Sequence, residues 1–230
     1  MKMYRKAADV ILLPELFSTG FTMNTSRFGE HMEGNTVKWM KTQAELTDSV
    51  VGGSIIVSVN GIYFNRFCWV SPGKELTYYD KRHLFRMGGE NQHFAAGNKI
   101  INVELKGWRI RLNICYDLRF PVWIRNTGDY DLLINIANWP AGRKNVWNKL
   151  LMARAIENQC YVAGVNRVGK DGNGISYSGD SMVIDYRGEP VKILPSYKET
   201  TALVEINLQA LREFRNKFPV HLDSDRFKIL

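Results

Sequence analysis

Cysteine, glutamate and lysine at the ends of three apolar stretches supply the ingredients of nucleophilic acyl chemistry. The segment Asn113-Ile114-Cys115-Tyr116-Asp117-Leu118-Arg119-Phe120-Pro121 is the centre of the set. Ahead of it, Trp108-Arg109-Ile110-Arg111-Leu112-Asn113-Ile114 alternates polar and apolar side chains, which predicts a half-buried strand. Pro121 prevents that strand from running on. Cys115 therefore falls at a C-terminal strand end, the place where open α/β proteins put their chemistry. A free cysteine by itself most often only packs, so its neighbours decide the reading.

Val10-Ile11-Leu12-Leu13 is a short apolar run that reads as a buried strand flanked by others, and it ends at Pro14-Glu15. Glu15 then precedes Leu16-Phe17-Ser18-Thr19-Gly20-Phe21. A carboxylate among Leu and Phe resists ionisation, as suits a general base, whereas a lone Glu after Pro is ordinarily a solvated loop acid. Lys81 follows Tyr78-Tyr79-Asp80, and a lysine between Asp80 and Arg82 is usually a surface charge. A glycine-containing loop, Arg86 to Phe94, carries a second acid of interest, Glu90.

Composition bounds these readings. The 230 residues are 45% hydrophobic and 23% charged, ordinary for a globular protein, and no apolar run has the length of a membrane helix. The basic start at residues 1–6 lacks a signal-type apolar core. Cys68, Cys115 and Cys160 are too few and scattered for a disulfide framework and suit a reducing cytoplasm. Cys68 and Cys160 read as inert packing. The net charge of +8 is dispersed and interleaved with acids, with no nucleic-acid motif, so it fits attraction of a small anion better than nucleic acid. His31, His83, His93 and His221 have no metal-ligand spacing. No metal or cofactor is expected.

Strands and helices must alternate to position these groups. Residues 35–46 have helical spacing with Asn35 or Thr36 as cap, and Gly52-Gly53 separates them from a strand at 54–59. Asn60-Gly61 predicts a hairpin to 62–70. Residues 132–137 read as a strand ending at Asn138-Trp139-Pro140. Residues 145–157 read as a helix with a Val146, Leu150, Ala153, Ile156 stripe. Strands at 160–165 and 179–185, a turn at 187–190, a last strand at 201–206 and a closing helix at 208–218 follow. With no linker or repeat, residues 1–230 read as a single domain.

Leu-Pro-Glu15, Tyr-Asp-Lys81-Arg-His-Leu-Phe and Cys115-Tyr-Asp-Leu-Arg-Phe-Pro, in that order, resemble the Glu-Lys-Cys triad of the nitrilase superfamily of carbon–nitrogen hydrolases. The phrases Ala-Asn-Trp-Pro, Arg-Ala-Ile-Glu-Asn-Gln and Val-Gly-Lys-Asp-Gly-Asn-Gly are similar to its bacterial omega-amidase branch. The resemblance implies a four-layer α-β-β-α sandwich, usually dimeric, with Cys115 as nucleophile and Glu15 as base. Lys81 and the Tyr116 backbone N–H would hold the oxyanion, and Glu90 would orient Lys81 or substrate. It also implies a substrate that is the terminal amide of a small 2-oxo acid. Arg119 or Arg143 would hold the carboxylate, and Asn138 and Trp139 would line the pocket. Only residues 1–9 precede the Val10 strand, so the opening strand and helix of such a fold would be lacking, leaving an open edge and apolar surface near Glu15. Other amidase or N-carbamoyl hydrolase chemistry, or an inactive binding or dimer partner, are the alternatives.

Overall fold

The computed structural model describes residues 7–73 and 76–229. The first sheet has β1 (Val10–Leu12), β2 (Val50–Val59), β3 (Ile62–Val70) and β4 (Thr77–Asp80), in that spatial order. The chain continues through β5 (Asn102–Leu105), β6 (Trp108–Ile114), β7 (Leu132–Ala137) and β8 (Tyr161–Asn166). A hairpin of β9 (Val168–Lys170) and β10 (Ser176–Ser178) precedes β11 (Met182–Ile184) and β12 (Pro190–Ile193). The second sheet runs β12-β11-β8-β7-β6-β5, with β6, β7 and β8 parallel. The helices are α1 (Thr25–Phe28), α2 (Asn35–Thr47), α3 (Glu90–His93), α4 (Pro121–Ile124), α5 (Lys144–Asn158) and α6 (Leu208–Lys217).

Side-chain alternation makes the layers. Along β3, Cys68 and Val70 pack with Val37, Met40 and Ala44 of α2. Phe67 and Trp69 point the other way and join Ile110, Leu112 and Ile114 of β6 in the central core. On the far side of the second sheet, Gly164 of β8 has no side chain because Leu151 and Trp147 of α5 lie where a Cβ would be. Helix, sheet, sheet, helix is the α-β-β-α sandwich expected. Area removed from water on both faces of each sheet is the main driving term.

Several local expectations need correction. Asn35 and Thr36 do not cap α2; Gly34 holds the cap position, and Glu30 accepts the Thr36 backbone N–H at 2.8 Å and its hydroxyl. Gly52-Gly53 is not a separator but lies inside β2, because side chains there would collide with Leu12, Leu13, Phe17 and Phe67. The inner face of α5 is Trp147, Leu151, Arg154, Ala155 and Asn158, while Ile156 is 55% exposed. Polar Arg154 and Asn158 face inward because they bond backbone groups of neighbouring segments, so an apolar count misplaces the stripe. Residues 201–206 form no strand: Ile206 packs on the core without pairing, and the last strand is β12. Among the described residues the Val10 strand pairs with β2 alone, and it is half-buried rather than buried.

Candidate active site

The three loops converge because β1, β4 and β6 end on the same side of the core. Glu15 sits just past β1, where Leu16 turns with φ +42° and its N–H bonds Ser54 Oγ at 2.8 Å. The adjoining Phe17 N–H bonds the Ser54 carbonyl at 3.2 Å. Ser54 of β2 thus pins the Glu15 loop to the sheet. Glu15 is 1% exposed.

Lys81 leaves β4 and is also 1% exposed. Its Nζ lies 2.8 Å from Glu15 Oε1 and 2.9 Å from both Glu90 oxygens. Burial alone would push the ammonium down, but Glu15 and Glu90 reverse that and hold it well above the usual lysine range. Burial raises the Glu90 carboxyl, against the opposing charge of Lys81. Glu90 begins α3, and its Oε2 also accepts the Phe85 N–H at 2.7 Å. The remaining Glu15 oxygen, Oε2, accepts the Asn138 backbone N–H at 2.7 Å.

Cys115 closes β6 with φ +45°, a left-handed conformation costing a β-carbon residue about 1–3 kcal/mol and kept only where surroundings enforce it. Two clamps enforce it. Asp117, fully buried, accepts the Ile114 N–H at 3.0 Å and the Tyr79 hydroxyl at 2.8 Å. Arg154 of α5 donates to the Leu118 carbonyl at 2.7 Å. Burial, and then Glu15, push the Cys115 thiol well up, with Lys81 opposing. Burial and the Glu15 charge thus both disfavour the thiolate, while the Lys81 charge favours it. Cys68 and Cys160 are fully buried thiols pushed up to about 12 by burial, away from this cluster.

This geometry accords with the sequence family. Residues 1–216 match the family model of carbon-nitrogen hydrolases. The chain belongs to the carbon–nitrogen hydrolase family. It is 48% identical over 221 residues to a protein named omega-amidase YafV from Escherichia coli, covering 96% of this chain and 86% of that one. It is 35% identical over 223 residues to a 2-oxoglutaramate amidase from Bacillus subtilis, with 95% and 85% covered. A crystal structure of the Xanthomonas campestris CN-hydrolase superfamily protein XC1258, with an arsenic adduct in its active site, superimposes with a TM-score of 0.96. The two are 45% identical, and the match covers 98% of this chain and 88% of that one.

Around the mouth of this carbon–nitrogen hydrolase site, the expected binding residues divide by task. Asn138 is buried and donates Nδ2 to the Glu15 carbonyl at 2.7 Å, so its amide braces the base loop. Trp139 is 3% exposed, held by Asn166 at 2.7 Å, with the Arg119 guanidinium 5.3 Å from its ring. Arg143 lies 5.3 Å from the Phe85 ring, and Phe85 packs edge-on against Tyr116 at 5.2 Å. Among the described residues, neither Arg119 nor Arg143 has a carboxylate within ion-pair distance. Arg167, 4.7 Å from the Tyr177 ring and against Gly20, is a third such arginine and was not singled out by sequence. Asn65 and Asp117 were not singled out by sequence either, since each is a polar residue with another close by, Arg66 and Arg119, and neither has a distinctive local pattern.

Proposed function

We propose that the protein is an omega-amidase that hydrolyses the terminal amide of a small 2-oxo acid, such as 2-oxoglutaramate or 2-oxosuccinamate, to the dicarboxylate and ammonia. The observation that carries this reading is the division of labour at Glu15. Oε1 is held by Lys81 at 2.8 Å and Oε2 accepts the Asn138 N–H at 2.7 Å, while the charge of Glu15 acts on the Cys115 thiol. The names of the relatives supply the substrate class.

In the first half-reaction Glu15 takes the Cys115 proton as sulfur attacks the amide carbon. The carbonyl π electrons move to oxygen, and Lys81 Nζ with the Tyr116 N–H stabilises that anion. Collapse breaks the C–N bond, and Glu15 returns its proton to nitrogen, releasing ammonia and leaving a thioester. Water then attacks the thioester carbon while Glu15 accepts one of its protons. The second collapse expels the sulfur, which regains the proton from Glu15. Glu90 keeps Lys81 aimed, since both of its oxygens lie 2.9 Å from Nζ. The substrate carboxylate pairs with Arg119 or Arg143, whose guanidinium groups have only ring contacts.

The protein is further proposed to work as a homodimer in the cytoplasm. All three cysteines are free, which suits a reducing compartment, and no helix among the described residues is long and apolar enough to cross a membrane. The deciding experiment compares ammonia release from 2-oxoglutaramate by the protein and by Cys115→Ala. Activity confined to the unaltered protein supports the proposal. Equal activity in both removes Cys115 from the mechanism, and absence from both removes this substrate.

A further inference from the structure

Asn65, on β3, is fully buried at the point where two carboxylates meet. Its Nδ2 donates to Glu15 Oε1 at 2.8 Å and to Glu90 Oε1 at 3.1 Å. Its backbone carbonyl accepts the Lys81 backbone N–H at 3.0 Å, so one residue touches both carboxylates and the chain at Lys81. The amide orientation follows from its neighbours, because turning it over would set Oδ1 against two acceptor oxygens. Among the described residues Oδ1 has no hydrogen-bond partner, so the amide is oriented by its two N–H donors.

The electrostatics give that donation a purpose. Glu15 and Glu90 share a single ammonium, so the ionised trio has a net negative charge in a buried setting and the two carboxylates repel. An amide adds attraction to both anions without adding a cation that would neutralise the base. It also occupies Oε1 of Glu15 alongside Lys81, while Oε2 accepts the Asn138 N–H, so both ends of the carboxylate are fixed in rotation.

We propose that Asn65 is a positioning residue for the general base, fixing the rotation of the Glu15 carboxylate and allowing two carboxylates to share one lysine. This rests on the assignment of Glu15 and Cys115 as base and nucleophile. Besides Lys81, Glu90 and Cys115, Tyr177 of β10 is a titratable group whose hydroxyl feels the Glu15 charge, and that hydroxyl is bonded to Asp171 at 3.0 Å. None of these can replace a neutral donor between the two acids.

The test uses Asn65→Asp, which is isosteric, and Asn65→Ser, which is smaller and retains a donor. Two readouts are taken on the folded full-length enzyme across the pH range. One is kcat and KM for 2-oxoglutaramate, and the other is the rate of Cys115 alkylation by iodoacetamide. In Asn65→Asp the added anion favours protonated carboxylates, so the acid limb of kcat/KM and the midpoint of alkylation both move to higher pH. In Asn65→Ser kcat falls by about 10–100-fold, a part of the roughly 10²–10⁴-fold contribution of a general base, with KM little changed. Wild-type pH profiles in both folded variants overturn the proposal, because a purely structural residue would change melting without moving either limb. If the unaltered enzyme does not hydrolyse 2-oxoglutaramate, shifted alkylation still upholds the positioning role while the substrate reading fails.

Discussion

Asp117, two residues beyond Cys115, accepts the backbone N–H of His83, two residues beyond Lys81, at 2.9 Å. The same carboxylate faces His83 Nδ1 at 2.8 Å, and that imidazole stacks on Phe120 with ring centroids 3.7 Å apart. Asp117 also holds the Ile114 N–H and the Tyr79 hydroxyl. One buried carboxylate thus joins the exits of β4 and β6, which carry Lys81 and Cys115, and helps to set the separation between them.

Replacing Asp117 by Asn tests that junction. The new NH₂ would face groups that already donate, so at least one buried donor loses its partner, and hydrogen bonds to a charged acceptor are worth about 1.5–3 kcal/mol each. Urea denaturation should register a loss of about 2–4 kcal/mol. Amidase kcat should fall at least tenfold, because Cys115 would no longer be held at its strained φ of +45°. Unchanged kcat in the folded variant would show that the junction is not needed for alignment.

Asp131 offers a pH-dependent test remote from the chemistry. It accepts from Arg109 at 2.8 Å and from Arg215 of α6 at 2.6 Å, tying the closing helix to the second sheet. Burial pushes its carboxyl up, but Arg109 and then Arg215 outweigh burial and leave it below the usual aspartate range. A depressed carboxyl contributes stability above its unfolded pKa of about 3.9 and loses it as pH falls through the folded value. Asp131→Asn should therefore cost about 1–3 kcal/mol in urea unfolding at pH 7. The deficit should shrink steadily below about pH 4. A deficit independent of pH would mean that packing rather than charge holds α6.

Gly53 and Gly61 separate close approach from turn strain. A Cβ at Gly53 would lie 2.9 Å from Phe17 Cδ1 and 3.0 Å from Leu13 Cβ, on both flanks of Glu15. Gly53→Ala should displace the base loop, lowering kcat tenfold or more as well as melting temperature. At Gly61 nothing lies within 4 Å and only its φ of +79° is at stake. Gly61→Ala should cost about 1 kcal/mol with activity retained. Equal kinetics in the two variants would deny the Gly53 contact any catalytic consequence.

The contrast between these glycines also marks what the sequence reveals. Asn60-Gly61 is legible because turn chemistry is local: both residues take positive φ between paired strands, as the dipeptide implies. Gly52-Gly53 resembles a breaker in one dimension, and its reason, the approach of Leu13 and Phe17, is tertiary. The ordered Glu15, Lys81 and Cys115 motifs locate the chemistry, since each occupies a strand exit. Asn65 stays hidden because a lone amide in a strand has no distinguishing local pattern; only the pairing of β3 with β4 brings it to Lys81. Arg154 and Asn158 invert the apparent face of α5 for the same reason, their partners being backbone groups far along the chain.

Glu15 acts on the thiol in two opposing ways, and a single substitution separates them. Its charge raises the Cys115 thiol, second only to burial, while its carboxylate is the base of the proposed turnover. Glu15→Gln removes the anion but leaves Lys81, which favours thiolate. The midpoint of Cys115 alkylation by iodoacetamide should therefore move to lower pH, and reaction near pH 7 should quicken. Amide hydrolysis should nevertheless fall by about 10²–10⁴-fold, because nothing protonates the departing nitrogen or activates the water. Cys68 and Cys160, fully buried and pushed up to about 12, should stay unlabelled in the folded protein and act as internal references in a peptide-mapping experiment. Slower alkylation in Glu15→Gln would mean that the glutamate promotes thiolate formation in the resting enzyme, contrary to the charge arrangement described.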